Sequence, residues 1–305
     1  MVQNTSKRLG KVKLMKTSKY VMVIGMSAML CVGLLIYFKI RGQTPLTPSH
    51  KLYSGYEDER IFMRPDDLSF PATSLIATPI RLPVIMYHYV EHVKDRGDTT
   101  RIKLDTSPEV FEGHLKALRL ANYETYFVKD IPEILSGKKE ASTRSAILTF
   151  DDGYEDFYTV AFPLIKKYHV RATVYVIYDF IGRHGFLNKK QIAELIDSGY
   201  IEIGSHTLDH INLKTAKPEI ARKQIRESKR LLEQDFHFEV KSFAYPLGAL
   251  NPPIVEMVKE ASYSAAVSVI SGVMQSDENL YYLSRIRPGL FMPGTMIEYL
   301  ENVQK

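Results

Sequence analysis

From residue 82 onward, short apolar runs alternate with stretches in which apolar residues recur every three or four positions. The runs are Pro83–His88, Tyr123–Val128, Ala146–Phe150, Ala172–Tyr178, Ile201–His206, Ser242–Pro246 and Ala265–Ser271. They are rich in β-branched and aromatic residues and read as strands. The intervening stretches read as helices. Ser107-Pro108 is an N-cap with proline at the first helical position, and Phe111, His114, Leu115 and Leu118 then share one face. Phe157, Ala161, Leu164 and Tyr168 repeat at helical spacing, as do Ala221, Ile225, Ser228 and Leu232 within a long charged helix. Such alternation predicts an α/β fold with parallel strands and helical crossovers. Seven or eight units predict a (β/α) barrel. An open doubly wound sheet is the alternative, but no Gly-rich phosphate loop follows any strand.

Charge alters this picture only at the N-terminus. The 305-residue chain carries a net +5, yet residues 1–19 hold six basic side chains and no acid, so the remainder carries −1. A nucleic-acid partner is therefore not supported. Val21 to Phe38 contains no charged residue and, as a helix, would span about 27 Å, close to the hydrocarbon thickness of a bilayer. The basic flank predicts a cytoplasmic N-terminus and a single pass through the plasma membrane, with the rest of the chain outside. Lys39 and Arg41 stand where a cleavage site would need small residues, so the segment reads as an uncleaved anchor. The expected organisation is a basic cytoplasmic tail (1–20), a transmembrane anchor (21–38), a proline-containing stalk (39–80) and an outer domain (81–305). Cys31, the only cysteine, lies in the anchor. A metal site in the outer domain must then use histidines and carboxylates.

In barrels and doubly wound sheets alike, function belongs at the carboxyl ends of the strands. Four strands end in candidate chemistry. Ala146–Phe150 runs into Asp151-Asp152-Gly153, two adjacent acids that repel and are costly to desolvate unless a cation relieves them. A helix N-terminus would explain one such Asp better than two. Ile201–Ile203 leads to His206 and His210, spaced i, i+4 to face the same way on a helical turn and chelate a metal. Asp151-Asp152 can supply both the missing carboxylate ligand and a general base. Val84–Tyr87 ends in His88, a candidate general acid at the same rim. The strand around Phe243 ends in Ala244-Tyr245-Pro246-Leu247-Gly248, a candidate source of a backbone oxyanion donor, although pattern alone favours a plain turn. His114, on the apolar face of a helix, reads as a core residue.

These residues resemble a known family. Thr149-Phe150-Asp151-Asp152-Gly153 and Ser205-His206-Thr207-Leu208-Asp209-His210 are similar to the first two motifs of the polysaccharide deacetylases, carbohydrate esterase family four, with the NodB-homology fold. Phe243–Gly248 resembles the third motif, and Leu82–His88 the start of the circularly permuted branch that includes poly-N-acetylglucosamine deacetylases. The resemblance covers roughly residues 80–290. It implies a distorted (β/α) barrel of seven or eight units and removal of acetyl groups from N-acetylglucosamine units of a cell-surface polymer, peptidoglycan or poly-N-acetylglucosamine. It implies Asp151 as general base, Asp152, His206 and His210 as ligands of a divalent metal, His88 as general acid, and the Leu247 N–H as oxyanion donor. Zinc is the expected metal, with Co2+, Ni2+ or Mn2+ as alternatives.

One departure matters. The third motif commonly carries an arginine that orients the base, and this chain has Ala244 there. Arg285 or Arg287 is a candidate substitute. With no tryptophan in the chain, sugar stacking would fall to Tyr or Phe, and Tyr89, Tyr154 and Tyr245 are candidates by proximity, with Arg285 a further candidate for substrate contact. The missing arginine supports a competing expectation, a non-catalytic glycan-binding protein that keeps the fold. A metal-dependent phosphoesterase is a third, but no basic phosphate clamp stands beside the ligands.

Overall fold

The computed structural model describes residues 78–288 and 293–302. Among them the strands are β1 Ile80–Arg81, β2 Val84–Tyr87, β3 Glu124–Tyr126, β4 Ser145–Phe150, β5 Ala172–Val176, β6 Ile201–Ser205, β7 Ser242–Ala244, β8 Ala265–Ser271, β9 Met274–Gln275 and β10 Leu283–Arg285. β1 and β9 pair antiparallel with each other. The other eight form one parallel sheet, seven of them in the order β10-β8-β7-β6-β5-β4-β2 and β3 off that path against β4. A bridge between Ile85 and Ile286 joins its two ends, with Met86 N–H donating to the Ile286 carbonyl at 2.8 Å and Ile286 N–H to the Val84 carbonyl at 2.9 Å. The sheet is thus a barrel of seven strands. Its distortion sits at β4, where one edge pairs first with β3, from Ser145 to Ile147, and then with β2, from Ile147 to Phe150. The proposed tail, anchor and most of the stalk lie outside the described residues. Among those described, no helix is long and apolar enough to cross a membrane.

Strand parity decides which side chains enter the barrel, because successive residues face opposite ways. Ile147, Tyr175, Ala244, Val267 and Leu283 form the inner cluster, while Leu148, Phe150, Val174, Ile203 and Phe243 pack under the helices. The outer layer includes the helix Pro108–Leu120, which buries Phe111, His114, Leu115 and Leu118 and is capped by the Ser107 side chain. His114 is a core residue, with its Nδ1 3.2 Å from the Tyr87 hydroxyl. The helix Pro218–Phe236 buries Ala221, Ile225, Ser228 and Leu232. One helical face departs from expectation. Phe157–Ala161 is a π-helical turn, followed by the α-helix Phe162–Lys167. The wider turn rotates that α-helix, so Phe162 and Ile165 are buried there and Leu164 and Tyr168 are only partly covered.

The same parity places Thr173, Glu202, Gly204 and Ser242 toward the inside. Gly204 is required there, because a Cβ would come within 2.5 Å of the Tyr175 ring and 2.7 Å of Ser242 Oγ. Glu202 is buried, and its carboxylate accepts from Thr173 Oγ1 and Ser242 Oγ at 2.8 Å and from the Lys129 N–H at 3.1 Å. Burial lifts its pKa above the ordinary 4.5 in spite of those donors.

The raised value means that the fold prefers the protonated acid. The group's contribution to stability is complete below about 4.5 and is lost as pH rises through the folded value. Glu202→Gln, which keeps an acceptor for Lys129 and Thr173 and offers a donor to Ser242, should melt at a higher temperature than the unsubstituted protein in mildly alkaline buffer. That advantage should shrink in mildly acidic buffer. A melting difference that does not change with pH would show that Glu202 does not titrate in this way.

Candidate active site

The inward register of the strands continues past their ends, and the site is made from that continuation. Asp151 follows Ile147 and Thr149 on one side of β4, His206 follows Glu202 and Gly204 on β6, and His88 follows Val84 and Met86 on β2. Arg285 is the last residue of β10, two after the inward-facing Leu283. Four strand ends therefore converge on one rim.

Asp151 is buried, as is its partner Arg285, with 4% and 1% of their side chains exposed. The guanidinium donates from one terminal nitrogen to Oδ1 at 2.7 Å and from the other to Oδ2 at 2.8 Å. Arg285 Nε donates to the Ser268 carbonyl at 2.7 Å, and a terminal N–H also reaches Thr149 Oγ1 at 3.2 Å. Thr149 in turn donates to the Ile85 carbonyl at 2.8 Å. Burial alone would raise the Asp151 pKa, but the Arg285 charge, aided by His88 and His206, holds it below the usual carboxylate range. Arg285 thus occupies the orienting place left open by Ala244. Its enclosure corrects its candidacy as a substrate contact, because its donors are turned to Asp151, Thr149 and Ser268. His88 Nε2 stands 3.9 Å from Asp151 Oδ2, with 15% of its side chain exposed. Burial pulls its pKa below the usual imidazole value, against the two neighbouring carboxylates.

Asp152 turns away from Asp151. Its Oδ1 lies 3.3 Å from His206 Nε2 and 3.4 Å from His210 Nε2, and the three candidate ligand atoms lie within 4.8 Å of one another. That oxygen is buried and has no hydrogen-bond donor. The Nδ1 of His206 is 2.8 Å from the Ala244 carbonyl, which can only accept, so Nδ1 carries a proton and, in the neutral imidazole, the Nε2 lone pair faces the carboxylate. A lone pair and a donorless carboxylate oxygen facing each other suit a cation between them. Two histidines and one carboxylate are a ligand set that zinc accepts, leaving positions for water and substrate. Burial and the neighbouring His206 lower the His210 pKa to about 4, which leaves its imidazole neutral and able to ligate at physiological pH.

The histidines do not meet on a helical turn, as the i, i+4 spacing suggested. Residues 206–210 form a turn in which Thr207 and His210 have φ of 68° and 62°. Thr207 Oγ1 accepts the His210 N–H at 3.1 Å. Gln224, from the helix Pro218–Phe236, accepts the N–H groups of Leu208 and Asp209 at 2.9 and 3.2 Å. Gln224 was not singled out by sequence; a buried Gln on the apolar stripe of a charged helix was the available signal. Asp152 and Leu247 share the left-handed conformation, at φ 74° and 59°. The Leu247 side chain is 66% exposed at the surface turn after β7.

Two aromatic candidates are corrected. Tyr245 is 1% exposed, and its hydroxyl donates to the Tyr281 carbonyl at 2.7 Å. It follows inward-facing Ala244 and so packs under the helices, where no sugar reaches it. Tyr89 and Tyr154 stack on each other at 3.9 Å, and Arg101 lies 4.3 Å over the Tyr89 ring. Both faces of Tyr89 are taken. Tyr154 is half-buried, its hydroxyl beside the Asp152 carboxylate; burial and that charge push its pKa up.

Known proteins are similar to this chain in sequence and in fold. A sequence model of the polysaccharide deacetylase family matches residues 138–266. Protein YxkH of Bacillus subtilis (strain 168), named for the polysaccharide deacetylases, is 31% identical over 227 residues, covering 74% of this chain and 78% of its own length. A poly-β-1,6-N-acetyl-D-glucosamine N-deacetylase of Staphylococcus aureus (strain MRSA252) is 30% identical over 195 residues, covering 59% of this chain and 66% of its own. Among solved structures, the Streptococcus pyogenes deacetylase PplD in complex with acetate superposes with a TM-score of 0.67 at 28% identity, covering 73% of this chain and 99% of that one.

Removing Arg285 leaves an unpaired buried carboxylate, so Arg285→Ala should cost about 3–5 kcal/mol in denaturant unfolding. The Asp151→Ala, Arg285→Ala double variant should be more stable than the sum of the single losses requires. Additive losses would show that the two groups are not coupled.

Proposed function

This chain belongs to the polysaccharide deacetylase family, and on that premise we propose that it hydrolyses the N-acetyl groups of N-acetylglucosamine units in a cell-surface polysaccharide. The observation that carries this reading is the division of labour between two adjacent carboxylates. Asp151 is held ionised by Arg285 with an edge toward His88, while Asp152 joins His206 and His210. The named activity of the staphylococcal relatives favours poly-β-1,6-N-acetylglucosamine, with peptidoglycan as the alternative polymer.

Asp152, His206 and His210 would hold a divalent metal, zinc before Co2+, Ni2+ or Mn2+, which when bound supplies a Lewis acid for the acetamide carbonyl and makes water more acidic. Asp151, oriented by Arg285 and depressed in pKa, accepts the proton of the attacking water. Its bidentate partner keeps the carboxylate from rotating out of line. The Leu247 N–H, presented by a turn that strains a non-glycine residue, donates to the oxyanion that forms as water adds. His88 in its protonated form hands a proton to the departing amine; burial, which lowers its pKa, makes that form the stronger acid but the minority one at neutral pH. The alternative of glycan binding without hydrolysis drew on the alanine at position 244. The Arg285–Asp151 pair removes that support. The sequence of residues 1–38 supports an anchored protein with this domain outside the membrane.

Acetate released from poly-N-acetylglucosamine and from peptidoglycan fragments measures the proposal directly. The zinc-loaded protein should release acetate, a chelator should abolish release, and zinc should restore it. Asp151→Asn should lower kcat by roughly 10²–10⁴-fold while metal content, read by elemental analysis, stays the same. Binding of either glycan without acetate release would replace hydrolysis with the glycan-binding reading.

A further inference from the structure

The sheet aligns β2 with β4 as far as Tyr87 and Phe150, and the Asp151 N–H donating to the Tyr87 carbonyl at 3.0 Å is a last rung. His88 lies beyond it, carried by a segment that has left the sheet. Residues 89–91 are held in two ways. Toward residues 104–106, Tyr89 N–H reaches the Leu104 carbonyl at 3.4 Å, Thr106 N–H reaches the Tyr89 carbonyl at 3.0 Å, and Glu91 N–H reaches Asp105 Oδ1 at 3.1 Å. Toward the β4 loop, the fully buried Val90 gives its N–H to Asp156 Oδ2, and the Tyr89 ring stacks on Tyr154 with 22° between planes.

The second tie differs in kind, because Tyr154 belongs to the loop that carries Asp151 and Asp152, and Asp156 to the first helical turn after it. That loop is itself braced. Leu187 N–H donates to the Gly153 carbonyl and Glu155 N–H to the Gly185 carbonyl, each at 2.9 Å, and Tyr154 bridges to Phe186. A buried N–H needs an acceptor, but a backbone carbonyl would serve. Here the acceptor is a carboxylate whose burial lifts its pKa to about 6, and it is still largely ionised at neutral pH.

We propose that Asp156 is a positioning residue for the deacetylation step: by accepting the Val90 N–H, with the Tyr89–Tyr154 stack beside it, it fixes the distance between His88 and Asp151. His88 then meets the leaving amine because its backbone is pinned to the same loop as the base. This rests on the reading of His88 as the general acid. A misplacement of about 1 Å from a change outside the chemistry can cost on the order of 10²-fold in rate.

The test separates steps that need leaving-group protonation from those that do not. The zinc-loaded full chain is assayed on a poly-N-acetylglucosamine oligomer, whose amine must be protonated to leave, and on nitrophenyl acetate, whose phenolate leaves unaided. Asp156→Ala should lower kcat on the oligomer by roughly 10–10²-fold with KM unchanged, and spare the ester. Asp156→Asn, which keeps an amide oxygen for Val90, should recover most of the loss. Adding Asp156→Ala to His88→Ala should cost nothing further on the oligomer. Tyr89→Leu, a second lesion in the same tie, should repeat the selective loss and stands in if Asp156→Ala does not fold. Equal loss on both substrates, or a double variant well below His88→Ala, would overturn the positioning role. An unsubstituted protein that releases acetate from neither substrate would instead overturn the deacetylase reading, and this proposal with it.

Discussion

The structure turns on a buried ion pair. Asp151 sits among barrel side chains, where an isolated carboxylate would be neutralised or expelled. Arg285 meets both of its oxygens and is itself tied to Ser268 on β8 and Thr149 on β4. One guanidinium therefore links three strands of the ring and keeps a carboxylate ionised away from bulk water. Asp152, one residue later, has a positive φ and falls to the histidines instead. Two carboxylates that should repel are separated by a backbone twist and given different partners.

Much of this was legible in sequence, and strand parity explains both the successes and the failures. Largely apolar runs announced strands covered on both faces, and polar residues just past their ends named Asp151, Asp152, His206 and His88. The same alternation, applied to aromatics, would have assigned Tyr245 and Tyr89 to the outer side, since each follows an inward-facing neighbour, Ala244 or His88. Closeness in sequence had grouped them with the site. Arg285 and Arg287 were both named as substitutes for the missing arginine. Pattern could not choose between them, because the deciding contact spans 134 residues and depends on how the ring closes. The bracing by Gln224 and the π-helical turn at Phe157–Ala161 are tertiary adjustments that helical periodicity does not encode.

Among the described residues, non-glycine positions with positive φ fall into two groups. Asn122, His169, His237 and Ser262 close helices, where the left-handed conformation ends the hydrogen-bond ladder at little cost. Asp152, Thr207, His210 and Leu247 lie at the rim, and no helix end accounts for them. For Thr207, β-branched and fully buried, the conformation is costly and persists because its surroundings hold it.

The join between β2 and β10 has a temporal meaning. His88 follows the first strand of the ring and Arg285 ends its last, so the two strands meet at Asp151. A growing chain acquires Asp152, His206 and His210 well before it acquires the partner of Asp151. Until β10 is synthesised and docks, Asp151 has no guanidinium partner and the ring lacks the strand that brings its two ends together. The order of synthesis thereby leaves the pairing of Asp151 to one of the last strands of the ring to be made.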